Sequence, residues 1–236
     1  LNTTVTRYNL FDLPDMFALV HQLGVMTWSI FFLVPTGRGL VEDEIKSDDY
    51  EAVLNFIYDA SKYVRLKTTE GHHYKRVVLQ RSYLDRNHLD PGDYMNLNGT
   101  YTRLREGLEA HIQNLAPSSE SHENMRRAPM HVNAGDGFVF ISLLGEVFPS
   151  GYLPVTAGNV KNRSLKDIYQ QSDLFLALRN KDALKGRCGK CEYRFVCGGS
   201  RSRAFAVTGD YLAEEPFCSY EPGSFPFEEA LLERVD

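Results

Sequence analysis

All the cysteines of this chain, Cys188, Cys191, Cys197 and Cys218, fall in its last stretch, spaced Cys-x2-Cys-x5-Cys-x20-Cys. They supply one complete four-thiol ligand set with none left over. Three chemistries use such a set. Paired disulfides belong to oxidising compartments, and this long acidic chain shows no secretory signal. A structural zinc ion takes four thiolates tetrahedrally, but common zinc ribbons present two short Cys-x2-Cys knuckles, and here only Cys188 and Cys191 form one. An iron–sulfur cluster is larger than one ion, so its thiolates must be spread further, which uneven gaps allow. From spacing alone, zinc and iron–sulfur stand level. Gly198-Gly199, directly after Cys197, lets backbone N–H groups approach a bulky anionic cofactor and tune its potential. Arg201 and Arg203 add positive charge nearby; ordinary solvated surface charge is the equal alternative.

The elements that must position these thiols read as follows. Leu1–Thr6 is a β-branched strand. A helix starts at Leu13-Pro14 with Asp12 as its cap, carries Met16, Phe17, Val20 and Leu23 at helical spacing, and stops at Gly24. Met26–Val34 is a near-continuous apolar run, the pattern of a parallel strand covered on both faces. Strand, helix and buried strand make a βαβ unit, and its second strand runs into the Gly-rich turn Pro35–Gly39, at the strand end where α/β folds hold ligands. Asp48/Asp49 open a further helix with Val53, Leu54, Phe56, Ile57 and Ala60 inward. Leu66–Thr69 and Val77–Gln80 read as short strands, and Leu104–Leu115 as a helix. The polar segment around 116–130 reads as a linker. His72, His73 and His111 have no cysteine at ligand spacing and read as structural. Beyond the linker, Gly137–Ser142 and Glu146–Phe148 form a hairpin. Ser164 caps a short helix, Asp173–Arg179 is another, and the tail turns helical from Phe227.

Composition narrows the class. The chain has 236 residues, 43% hydrophobic and 24% charged, with a net charge of 26 − 31 = −5 and a pI of about 5.8. That is a globular composition without the basic face of a general nucleic-acid binder. No apolar run approaches the roughly 20 residues that span a bilayer. The expected compartment is the cytoplasm, with neither nucleic acid nor membrane among the partners.

The stretch Cys188-x2-Cys191-x5-Cys197 with a distant Cys218 resembles the C-terminal SPASM domain of radical S-adenosylmethionine (SAM) enzymes. That domain has seven cysteines and two auxiliary [4Fe-4S] clusters, in the order Cys-x(9–15)-Gly-x4-Cys, Cys-x2-Cys-x5-Cys-x3-Cys and a final Cys. Here the upstream element stands as Asn133-x11-Gly145-x4-Ser150, and the fourth cysteine of the central element is replaced by Arg201. The resemblance implies that all three losses fall on one cluster and that the four retained cysteines ligate the other. Gly158-Asn-Val160 and Ser164–Tyr169 are similar to the family's linking helix. Residues 1–65 resemble the last two strands of its partial (βα)6 barrel, and Cys-Gly-Gly-x-Arg-x-Arg-Ala resembles members of alternative haem biosynthesis.

The expectations are therefore an α/β chain: the C-terminal part of a partial (βα)6 barrel over 1–115, a linker over 116–130, and a small α+β SPASM-type domain over 131–236. The resemblance implies one auxiliary [4Fe-4S] cluster on Cys188, Cys191, Cys197 and Cys218 that relays an electron. It implies SAM near Asn2 and the backbone at Leu33, and substrate binding or cluster tuning by Arg201 and Arg203. In the intact enzyme SAM would be cleaved to a 5′-deoxyadenosyl radical that oxidises a peptide or tetrapyrrole. The family's Cys-x3-Cys-x2-Cys is absent from this sequence, so the chain is expected to be inactive alone. A preceding barrel segment and an electron donor or acceptor protein are the implied partners. The alternative is a non-catalytic binding or scaffold module stabilised by the cluster or by zinc.

Overall fold

The computed structural model describes residues 1–117 and 132–232, so the expected linker lies almost wholly outside the described residues. Two units make up the chain: Leu1–Leu33, Glu42–Ala128 and Phe217–Asp236 form the first, and Val34–Val41 and Pro129–Pro216 the second. Residues from 217 onward thus group with the first unit, where the sequence expectation carried the second domain to 236. The described residues form a mixed helix–strand, α/β protein. Among them no helix is long and apolar enough to cross a membrane.

The first unit is built on three parallel strands, β1 (Asn2–Val5), β2 (Trp28–Phe32) and β3 (Leu66–Thr69), in the order β1-β2-β3. The register pairs Asn2 with Ser29 and Val5 with Phe32, then Trp28 with Leu66 and Phe31 with Thr69. In the central strand, Trp28, Ser29, Ile30 and Phe32 are all buried, as a strand covered on both faces must be. Trp28 Nε1 finds a partner inside the core, donating to Thr3 Oγ1 at 2.9 Å. The strand is shorter than the apolar run suggests, since Met26 is exposed. Helix α1 (Leu13–Gln22) places Leu13, Phe17 and Val20 against this sheet, together with Val53, Leu54, Phe56 and Ile57 of α2 (Ser47–Ala60). Asp12 makes no capping bond. It ends the 3-10 turn Leu10–Asp12 with a helical backbone of φ −86° and ψ −7°, rather than the extended one a capping side chain needs.

The expected strand at Val77–Gln80 is instead the middle of helix α3 (Tyr74–Arg86). Its buried face, with Tyr74, Val77, Val78, Arg81 and Leu84, follows helical spacing, but Arg76, Gln80 and Arg81 interrupt the apolar pattern. The two arginines find partners on α2, and Gln80 finds one in Arg76. Arg76 grips Glu51 with two bonds of 2.9 and 2.6 Å and donates to Gln80 Oε1 at 2.8 Å. Arg81 reaches Asn55 at 2.9 Å and Asp59 at 2.6 Å. Burial alone raises the Glu51 carboxyl, but the facing Arg76 outweighs it and holds the group below its ordinary value. Helix α4 (Gly99–Ile112) begins earlier than Leu104, because Asn98 Oδ1 accepts from Tyr101 N at 3.0 Å and caps it. Tyr101 OH then joins the network by donating to Asp59 at 2.8 Å. Of the histidines, His73 packs its ring 5.7 Å from that of Tyr50, and His111 Nε2 lies 3.0 Å from Asp15.

The second unit holds an antiparallel sheet of β4 (Phe140–Ile141), β5 (Glu146–Phe148) and β6 (Gly158–Asn159). Phe140 pairs with Phe148 and Glu146 with Asn159, so the expected hairpin is present with one strand added. Two short helices, α5 (Leu165–Gln171) and α6 (Asp173–Arg179), are opened by Ser164 and Ser172, whose hydroxyls accept from Asp167 N and Phe175 N. Val147, Ile168 and Phe175 form one small core, and Ala134, Leu153, Leu174 and Leu178 another. These cores hold the sheet against α5 and α6, directly before the cysteine segment. At the other end of the chain, a short helix at Glu228–Leu232 belongs to the first unit.

Candidate metal centre

Three of the four thiols sit on one continuous stretch of the second unit. Cys188 is on the short helix α7 (Gly186–Lys190), and Cys191 follows it in extended backbone at φ −74°, ψ 132°. The x5 gap folds as a tight turn pinned by the buried Tyr193 and Val196, with Cys197 N donating to Tyr193 O at 2.8 Å. Gly198 and Gly199 come next at φ +65° and +63°, where a side chain is strained, and Ser200 caps α8 (Arg201–Thr208). Cys218 lies in the segment grouped with the first unit. All four residues stand as half-buried thiols. Among the described residues, no group of three or more His, Cys, Asp or Glu side chains is gathered as for a single metal ion.

Donors converge on the sulfurs. Gly199 N lies 3.4 Å from Cys197 Sγ, Glu215 N lies 3.3 Å from Cys188 Sγ, and Arg201 Nη2 lies 3.8 Å from the same sulfur. A Cβ at Gly199 would come within 2.6 Å of Arg201 Nη2 and 3.4 Å of Cys188 Sγ, so only glycine lets the backbone pass there. Burial pushes the Cys188 thiol up, while the Arg201 charge and the Glu215 N–H pull the other way. The other two substituted positions are knitted in as well. Asn133 Nδ2 donates to Gly199 O at 2.9 Å and Cys197 O at 3.3 Å, and its Oδ1 accepts from Ala134 N at 2.8 Å. Ser150 is buried and accepts from Tyr152 N at 3.2 Å.

The alternative of solvated surface charge does not hold for the two arginines, which are 1% and 0% exposed. Arg201 Nη1 donates to the carbonyls of Tyr211 and Ala213 at 2.9 and 2.6 Å. Arg203 Nη1 donates to Glu215 Oε1 at 3.1 Å, and Glu215 Oε2 accepts from Ser200 N at 2.7 Å. Glu215 does not stand out in the sequence by type or spacing. Its signal is indirect: two arginines so close to a ligand set call for a buried acid, and Glu214-Glu215 lies just downstream. On the sheet, Asn2 opens β1 and is exposed, while Leu33 follows the far end of β2, so the register sets them at opposite ends of the strands.

No family model matches the chain. Its curated relatives place it in a radical SAM/SPASM-type family with haem-biosynthesis members. The chain is similar to the AdoMet-dependent heme synthase of Methanosarcina barkeri, with 39% identity over 225 residues, 94% of this chain and 56% of that protein. The pre-heme d1 synthase of Dinoroseobacter shibae is 29% identical over 225 residues, 92% of this chain and 50% of its own. A PqqA peptide cyclase of Granulibacter bethesdensis matches 104 residues at 33% identity, 42% of this chain and 28% of its own. The chain spans about half the length of the haem-related relatives it matches.

Proposed function

We propose that this chain is the cluster-bearing part of a radical SAM enzyme that oxidatively modifies a tetrapyrrole. In this reading Cys188, Cys191, Cys197 and Cys218 hold one auxiliary [4Fe-4S] cluster. Residues 1–115 belong to the end of a partial (βα)6 barrel, and those after the linker as far as Pro216 to a SPASM-type domain. The observation that carries the reading is the convergence of two backbone N–H groups on the sulfurs of Cys188 and Cys197. Thiolates in an iron–sulfur site accept such bonds, and these bonds set its potential. The positive-φ glycine pair and the buried Nε of Arg201, which has no hydrogen-bond partner among the described residues, fit the same anionic group.

When bound, a fully Cys-ligated cluster supplies a one-electron acceptor or relay and offers no open iron to a substrate. The chain's own residues hold the thiols in place. Tyr193 and Val196 fix the turn between Cys191 and Cys197, and Asn133 ties the carbonyls of Cys197 and Gly199. Arg201 and Arg203 are buried on carbonyl and carboxylate partners, which favours cluster support over substrate binding for both. Leu33 is the SAM-side position we retain, since α/β ligands bind beyond the strands' C-terminal ends. A tetrapyrrole is preferred to a peptide because the haem-related relatives align along 92% or more of the chain. The cytoplasm is the matching compartment, where thiols stay available as ligands. The implied partners are the rest of the barrel and an electron carrier.

The test uses the full-length protein, loaded anaerobically with iron and sulfide and reduced. Cleavage of SAM to 5′-deoxyadenosine that depends on an added iron tetrapyrrole is the expected result. Cleavage that responds to peptides alone would move the substrate class. No cleavage with either would favour the scaffold module.

A further inference from the structure

Arg201 stands where the family pattern has a cysteine, and its surroundings decide what it does there. Two backbone carbonyls, of Tyr211 and Ala213, hold Nη1 at 2.9 and 2.6 Å, which fixes the plane of the guanidinium. That plane turns Nη2 toward Cys188 Sγ, 3.8 Å away. Being 1% exposed, the group cannot swing out to meet a substrate carboxylate without giving up both carbonyls. Its neighbour Arg203 differs: it donates to the Glu215 carboxylate, so its charge is compensated. Arg201 donates to carbonyl dipoles and a sulfur, and its charge acts on the Cys188 thiol as well as on the Asp210 carboxylate.

We infer that Arg201 is a positioning residue that fixes the Cys188 sulfur and raises the reduction potential of the cluster ligated there, rather than binding substrate. The inference rests on the cluster reading above. A positive charge and an N–H donor beside a thiolate stabilise the reduced form, which carries one more negative charge, so removing them moves the couple down. The uptake is of one electron, with no bond made or broken. Lysine keeps the charge but cannot bond two carbonyls and a sulfur in one plane, so it preserves only part of the effect.

The test compares the chain with its Arg201→Gln and Arg201→Lys variants after anaerobic loading with iron and sulfide. Iron is counted first, and each is then titrated potentiometrically with the reduced signal followed by EPR. About four irons per chain are expected in all three. At the potential where the original chain is half reduced, the reduced-to-oxidised ratio of Arg201→Gln is expected to be about tenfold lower, equivalent to ~59 mV for a one-electron couple. Arg201→Lys is expected to fall between. Unchanged potentials with full iron would overturn the inference and leave the cluster reading standing. Should Arg201→Gln fail to load, pulsed EPR of the original chain labelled with 15N-arginine decides. A coupling to an arginine nitrogen, lost in Arg201→Lys, supports the inference, and no coupling overturns it. Colourless protein before any substitution would remove the cluster reading itself.

Discussion

Cys188→Ser is expected to abolish cluster loading, dropping iron from about four per chain to near background. Serine keeps the size of the side chain and its place on α7, so the fold should persist while the soft ligand is lost. The Cys188 sulfur has Glu215 N at 3.3 Å and Arg201 Nη2 at 3.8 Å. A serine oxygen there would leave those donors facing a hard, neutral group that binds iron poorly. Cys218→Ser is expected to lose as much iron, although Cys218 belongs to a segment grouped with the first unit. The sequence offers no fifth cysteine to replace it. Iron content and the visible absorption of the reconstituted variants read both results, and full loading of either variant would contradict the four-thiol ligand set.

Arg203→Met is expected to destabilise the protein by about 3–5 kcal/mol, the usual cost of removing one member of a buried ion pair. Arg203 and Glu215 are both fully buried, with the side chains 0% exposed. The carboxylate left behind would be an uncompensated charge in a site that also orders Ser200 N and presents Glu215 N to Cys188. Pairing the change with Glu215→Gln should recover more than half of the loss, because glutamine carries no charge and can still accept from Ser200 N. Replacing a whole buried pair is often near neutral, whereas breaking one is not. Urea denaturation of the two variants measures this. A change within about 0.5 kcal/mol for Arg203→Met, typical of a surface position, would contradict the burial of the pair.

Regular local pattern made the frame of both units legible in the sequence. The apolar run of β2, the inward positions of α2 and the serine cap of α5 each follow from composition and spacing within a few residues. What escaped was set by tertiary partners. Helix α3 hides its period, so that Val77–Gln80 reads as a strand, because its buried face contains Arg76, Gln80 and Arg81, whose burial is made tolerable by partners that include Glu51, Asn55 and Asp59 on α2. Asp12 has the residue type of a cap, but the preceding turn takes its backbone into the helical region. At the site, the cysteines and the glycine pair announce themselves by type and spacing. The inward direction of Arg201 and Arg203 does not, since charged residues are mostly exposed and their partners, two carbonyls and Glu215, lie 10 to 12 residues on.

The central claim is that the four cysteines hold an iron–sulfur cluster. The direct measurement is iron, acid-labile sulfide and zinc content of the chain after anaerobic reconstitution, with a Mössbauer spectrum of 57Fe-loaded protein. Brown protein with about four irons and a matching sulfide content, giving the spectrum of one cubane cluster, is the predicted result. Colourless protein carrying one zinc per chain, and refusing iron, would contradict it.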